Sequence, residues 1–172
     1  SRKMAIVCCH QPDFFPWLGF FSKLKKAEIW VILDHVKNNP KDPQNWIRRV
    51  KIRKGEGQQW VSLPVDKKKS NHGHGIPISQ WRYKTETSNW SIEKTKIIKE
   101  YSQHEYYSKV EGVLEEFFDS RSDNLSEKNL NLIERLIEYL GIDVKVVRSS
   151  SLDLETSSNE MLVEAVLKVG GN

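Results

Sequence analysis

The stretch that decides the fold is MAIVCCHQPDFFPWLGFFSKLKKAEIWVIL, residues 4–33. It begins and ends with a short apolar run, residues 4–8 and residues 28–33, and each run has the length of a buried strand. Between the runs, apolar residues recur at spacings of three and four, which predicts a helix with one buried face. These residues are Trp17, Leu18, Phe20, Phe21 and Leu24. Strand, tight loop, helix and strand are together typical of a βαβ unit with parallel strands.

The middle of the chain has a different pattern. Residues 46–65 form two β-rich runs on either side of Gly55-Glu56-Gly57, where glycine permits a tight reversal, so a hairpin is expected. The following residues 66–75 contain no apolar side chain and include His72 and His74, which indicates a mobile loop.

The second half of the chain is predicted to be mostly helical. Two groups of apolar residues keep helical spacing, and Gly141 supplies the expected stop. The groups are Val110, Val113, Leu114, Phe117 and Phe118, and Ile133, Leu136, Ile137 and Leu140. Residues 144–147 are a predicted strand, and Ser157 followed by Glu160 predicts a capped helix that runs to about Gly170. We therefore expect one α/β domain over residues 1–172, with an inserted hairpin and a helical C-terminal half.

Composition limits the classes of function. No run approaches 18 apolar residues, so the sequence predicts a soluble protein without a membrane span. Cys8 and Cys9 are adjacent and poorly placed to bridge each other, which fits a reducing cytoplasm. Residues 1–90 hold 17 Lys and Arg against 7 Asp and Glu, whereas residues 91–172 hold 10 against 16. A basic half that also carries the opening motif favours an anionic small-molecule partner.

The turn after the first strand is the predicted site. Open α/β sheets bind ligands at the carboxyl ends of their parallel strands, which places Cys9, His10 and Gln11 at the mouth of a crevice. Gly19 allows a close approach of the helix to the sheet or to the ligand. The aromatic residues of the stretch are interpreted as core, whereas the polar His10 and Gln11 need partners and are interpreted as functional.

The hairpin supplies the predicted anion-binding residues. Arg49 and Lys51 are two apart on a strand and share a face, so they suit an anionic group such as a sugar-nucleotide diphosphate. The run from Lys67 to Lys69 is interpreted as solvated surface.

Three other kinds of site find less support. Cysteine and histidine occur without the spacings of a zinc site, so no metal is predicted. Cys9 could be a nucleophile, but His10 cannot readily be its base because neighbours on a strand point to opposite faces. Basic residues alternate with aromatic ones in residues 45–54, yet no nucleic-acid-binding motif accompanies them, which argues against a nucleic-acid partner.

Four segments, taken together and in order, resemble the WbqC-like protein family. They are HQPDFFPWLGFFSKL (10–24), VILDHV (31–36), NWIRRVKI (45–52) and WVSLPV (60–65). Members of that family occur among enzymes for bacterial cell-surface polysaccharide such as O-antigen. The resemblance implies a transferase-like role, with acyl or aminoacyl transfer to an amino sugar or sugar nucleotide from a donor such as an acyl carrier. It implies no particular cofactor.

Position by position, the resemblance falls on a loop, an acid and a basic strand. The positions are His10, Gln11, Pro12, Phe15, Pro16, Gly19 and Phe20 in the loop, Asp34 after the second strand, and Arg49 and Ile52 in the basic strand. Phe20 stands where a tyrosine is expected, and Arg48 stands where asparagine is common. The resemblance also implies a further segment beyond Asn172.

A second resemblance, from another class, involves the same turn. Strand, Pro-containing loop, Gly19 and helix are similar to the phosphate-binding turn of HIGH-type nucleotidyltransferases, but Trp17 and Phe20 stand where those enzymes need histidines. The alternative function is therefore non-catalytic binding of a nucleotide or sugar nucleotide. In the preferred hypothesis His10 transfers protons, Asp34 either orients it or holds a substrate amine, and Arg49 and Lys51 hold the anion.

Overall fold

The structure is a computed structural model that describes residues 3–16, 18–38 and 45–170. Trp17, at the start of the predicted first helix, lies outside the described residues. The predicted α/β class is confirmed. Two strands of a parallel sheet and an antiparallel hairpin come first along the chain. Four of the five α-helices among the described residues follow the hairpin, and the third strand of the sheet lies between the last two of them.

The parallel sheet has three strands in the order β1 (Val7–His10), β2 (Ile29–Ile32) and β5 (Lys145–Arg148). Helix α1 (Leu18–Lys26) connects the first two, which confirms the predicted βαβ unit. All four residues of β2 are buried, as expected for a central strand with both faces covered. The predicted strand at 144–147 thus completes the sheet by pairing with β2.

Strand β1 lies further along the chain than predicted. It covers Val7–His10 and not residues 4–8, because pairing with β2 begins at Val7 opposite Ile29. Met4 and Ile6 are exposed and do not form the buried run that their apolar character suggested. His10 is therefore the last residue of a strand, and the backbone of the sheet fixes its position.

The hairpin and the helices complete the architecture. Strands β3 (Arg49–Lys54) and β4 (Gly57–Ser62) pair antiparallel around Gly55, whose φ of 57° suits glycine. The remaining helices are α2 (Ser88–Tyr101), α3 (Tyr107–Asp119), α4 (Leu125–Leu140) and α5 (Ser158–Lys168). No helix among the described residues is long and apolar enough to cross a bilayer.

The helix ends test two predicted signals. Gly141 follows α4 with a φ of 65° and its amide donates to the carbonyls of Ile137 and Glu138, so the predicted stop is confirmed. The capping box ahead of α5 is wrong, because the Ser157 side chain makes no capping hydrogen bond. Helix α5 forms nevertheless, since Met161 and Ala165 bury one of its faces.

The sheet has a different core on each face. The larger core holds most of the aromatic residues and joins α1, the hairpin and helices α2 to α4. The smaller core lies between the sheet and α5. Phe14, Phe20 and Phe21 are buried in the larger core, as the interpretation of the opening stretch expected.

Candidate functional site

His10 stands at the carboxyl end of β1 with a defined tautomer. Its Nδ1 lies 2.8 Å from the Gln11 carbonyl oxygen. A carbonyl can only accept, so Nδ1 carries the hydrogen and the lone pair of the neutral ring is on Nε2. The ring also packs edge-on against Phe20, with the two centroids 4.8 Å apart. Backbone and core together hold this imidazole in one orientation.

Asp13 accompanies His10 three residues later. Its Oδ2 lies 3.7 Å from His10 Nδ1, and only 17% of the Asp13 side chain is exposed. Burial raises the pKa of Asp13 to about 6, and the nearby His10 opposes part of this rise. A carboxyl group with a pKa near neutrality, next to an imidazole, is an arrangement suited to proton transfer.

His10 and Asp13 line a cavity of about 580 Å³ between the loop after β1 and the hairpin, which we call the His10 cavity. It is lined by His10, Asp13, Phe14, Phe15, Pro16, Trp46, Val50 and Lys51. This volume is in the range of small-molecule sites, and the lining combines apolar walls with a few polar groups, as such sites usually do. The hairpin thus brings Lys51 and Trp46 to the same space as His10.

A buried asparagine fixes the loop against the hairpin. Asn129, on α4, donates through Nδ2 to the Pro12 carbonyl at 2.8 Å and to the Ile47 carbonyl at 2.6 Å. Its Oδ1 accepts from the Tyr83 hydroxyl at 2.7 Å. The Phe14 amide adds a backbone hydrogen bond to the Trp46 carbonyl. These contacts set the distance between the two walls of the His10 cavity.

The predicted anion-binding residues share an aromatic partner. The Arg49 guanidinium carbon lies 3.7 Å from the centroid of the Trp60 ring, and Lys51 Nζ lies 5.0 Å from it. Trp60 in turn lies 5.5 Å from Trp46, centroid to centroid. Arg49 and Lys51 therefore lie on one face of the hairpin, and of the two only Lys51 lines the His10 cavity.

An apolar cavity of about 340 Å³ adjoins the His10 cavity. The two share Phe15, Pro16, Val50 and Lys51, and the apolar cavity continues between the hairpin and helices α2 to α4. Phe15 has a φ of 47°, a conformation that costs a non-glycine residue energy and is found mostly where surrounding structure enforces it. Space beside the acid–base pair is thus available to an apolar group.

Comparison with known proteins gives a clear result at the level of the family. A model of the WbqC-like protein family matches residues 11–172. The chain belongs to this family. The matched region includes Asp13, Lys51 and Asn129, and it begins one residue after His10.

A Mycobacterium tuberculosis protein described as "Uncharacterized protein Rv1507c" is 25% identical over 163 residues, which cover 94% of this chain and 66% of that relative. The chain thus spans slightly less than two thirds of its relative's length. No solved structure matches.

In this member of the WbqC-like family, Asp34 has partners other than His10. Its Oδ1 accepts from Ser149 Oγ at 3.1 Å and from the Ser150 amide at 2.9 Å, and its Oδ2 accepts from Ser150 Oγ at 2.8 Å. Asp34 is 2% exposed. The structure therefore places Asp13 beside His10 and uses Asp34 to tie the end of β2 to the turn after β5.

Cys9 faces the opposite side of the sheet from His10. It packs with the smaller core next to α5, whereas Phe20, the partner of the His10 ring, belongs to the larger core. Burial raises the pKa of the Cys9 thiol, which favours the less nucleophilic protonated form. The structure does not bring Cys9 and His10 together, as the strand geometry predicted.

Gln11 and Gly19 lie close to the site in sequence but do not line the His10 cavity among the described residues. Gln11 Oε1 accepts from Asn38 Nδ2 at 3.1 Å, so it joins the loop to the segment after β2. Gly19 is half-buried in the first turn of α1.

The segment with the two histidines is held by hydrogen bonds, although its composition indicated a mobile loop. Asn71–Gly73 form a 3₁₀ turn, and buried Ser70 accepts from the Arg82 amide through its hydroxyl at 2.9 Å. No group of three metal-binding side chains occurs in the part of the chain that the structure describes.

Two features of the site were missed by sequence reasoning. Asp13 carried a signal, since a histidine and an aspartate three residues apart follow the strand end directly. Asn129 carried none, because only the tertiary fold brings α4 against the loop and the hairpin.

Proposed function

We propose that the His10 cavity is the active site of a transferase that moves an acyl or aminoacyl group to the amine of an amino sugar or sugar nucleotide, in the assembly of a bacterial cell-surface polysaccharide such as O-antigen. The observation that carries the proposal is the His10–Asp13 pair at a cavity with one lysine and one exposed tryptophan. Membership of the WbqC-like family supports the polysaccharide context.

The proton chemistry follows from the tautomer of His10. Nε2 accepts a proton from the attacking amine as the new C–N bond forms at the acyl carbonyl carbon. Nε2 then returns that proton to the leaving thiolate of an acyl or aminoacyl thioester as the C–S bond breaks. Asp13, near Nδ1, stabilises the transient imidazolium by its negative charge. The proton thus passes from the amine through His10 to the leaving thiolate.

The hairpin side of the cavity suits the anionic substrate. Lys51 offers an ammonium group to a diphosphate. Trp46, which is 42% exposed, offers an aromatic face. Stacking between an aromatic ring and a base is sequence-tolerant and worth about 1–3 kcal/mol per base. Arg49, held over Trp60, adds positive potential to the same face of the hairpin.

The adjoining apolar cavity supports an acyl group as the transferred part. Its walls are mainly hydrophobic side chains of the hairpin and of helices α2 to α4, and it shares four lining residues with the His10 cavity. An acyl chain that lies there would place its carbonyl near the shared residue Phe15. Binding energy from such a remote part can position the reacting carbonyl.

Binding without catalysis is the alternative, and it would use the same cavity. Lys51 and Trp46 would then hold a nucleotide or sugar nucleotide for another enzyme, and Asp13 would serve only the electrostatics of the loop. The turn after β1 lacks the two histidines with which HIGH-type enzymes bind phosphates. The binding alternative therefore rests on Lys51 and Trp46.

The test is a transfer assay with a matched histidine control. The protein is first screened for thermal stabilisation by uridine and thymidine diphosphate amino sugars, since a ligand at 100 times its Kd stabilises by about 2.7 kcal/mol. Bound sugars are then incubated with acyl and aminoacyl thioesters, and the product is detected by its mass. We expect His10→Asn to abolish product and His35→Asn to preserve it, since the His35 Nδ1 contacts Ser149 outside the cavity.

Two outcomes would reject the enzymatic proposal. Sugar-nucleotide binding without any product from the panel of donors supports the binding alternative. Product formation that survives His10→Asn removes His10 from the reaction.

A further inference from the structure

A third cavity, of about 530 Å³, lies beside the turn that carries the two histidines. Its lining includes Arg48, Lys67, His72, His74, Val65 and Trp81, and we call it the Arg48 cavity. It shares no lining residue with the His10 cavity. Every ionisable side chain in its lining is basic.

Arg48 is the central positive charge of this cavity. Its side chain is half-buried, and its Nη1 donates a long hydrogen bond of 3.4 Å to the Leu63 carbonyl. Among the residues with described positions, no carboxylate forms an ion pair with it. Burial, and secondarily the nearby Arg49, lower the pKa of Arg48, which is the behaviour of a desolvated cation without a compensating acid.

The carboxylates near the cavity are engaged elsewhere. Asp123 forms ion pairs with Lys69 and Arg82 at 3.4 and 3.0 Å. Asp66 accepts from the Lys69 amide at 3.0 Å and thereby closes the turn that follows it. The positive charge of Arg48 and Lys67 is therefore left for a ligand.

The histidine turn is held in a conformation that costs energy. Asn71 and His72 have φ values of 48° and 56°, in the left-handed region that disfavours side chains other than glycine. Ser70 anchors the turn to the Arg82 backbone, and Asn71 Nδ2 donates to the His74 carbonyl at 2.9 Å. Such strain persists where surrounding structure enforces it, and it recurs at ligand-binding sites. His72 and His74 both line the cavity.

The wall of the cavity also includes an aromatic group without a polar partner. Trp81 is fully buried, and its indole Nε1 has no hydrogen-bond partner among the described residues. Trp81 therefore contributes an aromatic surface to the cavity lining.

We propose that the Arg48 cavity is a second binding site of this protein, which takes the phosphate group of a small phosphorylated molecule. Arg48 contacts the phosphate oxygens from the hairpin side, Lys67 and the imidazoles of His72 and His74 contact them from the turn, and Val65 packs against the organic part. Arginine suits this role because its planar group presents paired donors to phosphate oxygens. In this proposal Lys67 binds the ligand, whereas the sequence interpretation treats it as solvated surface.

The test measures binding of inorganic phosphate and pyrophosphate by isothermal titration calorimetry at constant ionic strength, with sodium chloride as the reference. We expect pyrophosphate to bind the full chain and Arg48→Met to weaken this binding at least tenfold. The matched control is Arg53→Met, which removes the same charge from an exposed position in β3, the strand that follows Arg48, and should leave binding within twofold.

A second pair of variants guards against misfolding of Arg48→Met. Lys67→Met should weaken pyrophosphate binding at least threefold and Lys68→Met should not, although both residues are exposed neighbours in sequence. Equal effects within either pair would show that only general charge is involved and would overturn the inference. Loss of binding in Lys51→Met but not in Arg48→Met or Lys67→Met would place the phosphate in the His10 cavity, which overturns this inference and leaves the proposed function intact.

Discussion

The carboxyl ends of β1 and β2 lie side by side in the sheet, and each is followed by an aspartate in a different environment. At the end of β2, the Asp34 carboxylate accepts three hydrogen bonds from Ser149 and Ser150 and is almost completely buried. At the end of β1, Asp13 lies 3.7 Å from His10 Nδ1, lines a cavity, and has a pKa raised to about 6. A satisfied carboxylate stabilises the fold, whereas a poorly solvated one beside an imidazole is available for chemistry.

The comparison teaches that position at a strand end is insufficient to assign a role. Both acids follow a parallel strand at the edge where α/β proteins bind ligands. What separates them is whether the protein itself supplies hydrogen-bond donors to the carboxylate. Four changes can break or sharpen this difference.

The largest effect is expected from Asn129→Ala. The substitution leaves the buried Pro12 carbonyl without its partner and leaves the Tyr83 hydroxyl and the Ile47 carbonyl with only each other, so we expect a loss of roughly 3–5 kcal/mol in the free energy of unfolding. Urea denaturation measures it. The control is Asn131→Ala, at an exposed position nearby on α4. A loss of less than about 1 kcal/mol in Asn129→Ala would show that Asn129 does not hold the loop against the hairpin.

Asp13→Asn should change how stability depends on pH. The folded chain keeps the Asp13 proton up to about pH 6, whereas an unfolded chain releases it near 3.8. The native state then binds more protons between these values, so the free energy of unfolding falls as pH rises from about 4 to 6, by on the order of 3 kcal/mol from this group. The asparagine variant lacks this fall, and it should be more stable than the wild type at pH 7. Parallel curves of stability against pH for the two proteins would contradict the assignment.

Asp34→Asn should lower stability without affecting the site. Loss of acceptor capacity opposite Ser149 and Ser150 should cost roughly 2–3 kcal/mol, while binding of sugar nucleotide per folded molecule stays unchanged. Thermal denaturation and calorimetry on the same sample measure both quantities, with exposed Asp143→Asn as the reference. If binding is lost while stability is retained, Asp34 belongs to the site and the comparison fails.

Lys51→Met should have the smallest effect. Removal of the ammonium group from the His10 cavity should weaken binding of a sugar nucleotide about tenfold, or about 1.4 kcal/mol, with little change in stability. Lys54→Met, on the same strand and likewise exposed but outside the cavity lining, is the control. Equal weakening in both variants would mean that the net charge of the hairpin, and not Lys51, attracts the ligand.

Much of the fold could be predicted from the sequence because its signals are local. The apolar runs around β2, the spacing in α1 and α4, and glycine at positions 55 and 141 each reflect a short-range constraint. The start of β1 was placed too early because apolar residues at 4 and 6 do not reveal which of them pair with a neighbouring strand. The capping box failed because a local motif forms only where the entering chain permits its geometry.

The candidate site was predictable only in part, for the opposite reason. His10 follows from its place at a strand end, and Lys51 from its strand periodicity. The partners of Asp34 lie 115 and 116 residues away in sequence, and those of Asn129 lie 117 and 82 residues away. No spacing rule could have separated a satisfied Asp34 from an available Asp13, because the difference is made by contacts that exist only after folding.

The most direct test of the account is an NMR titration of the Asp13 carboxyl carbon in the wild type, in His10→Ala and in Asp34→Asn. We predict a midpoint near pH 6 in the wild type, a higher midpoint in His10→Ala because the imidazole no longer offsets the effect of burial, and an unchanged midpoint in Asp34→Asn. A wild-type midpoint near 3.8, or a shift in Asp34→Asn as large as that in His10→Ala, would contradict the claim that His10 and Asp13 form the working pair.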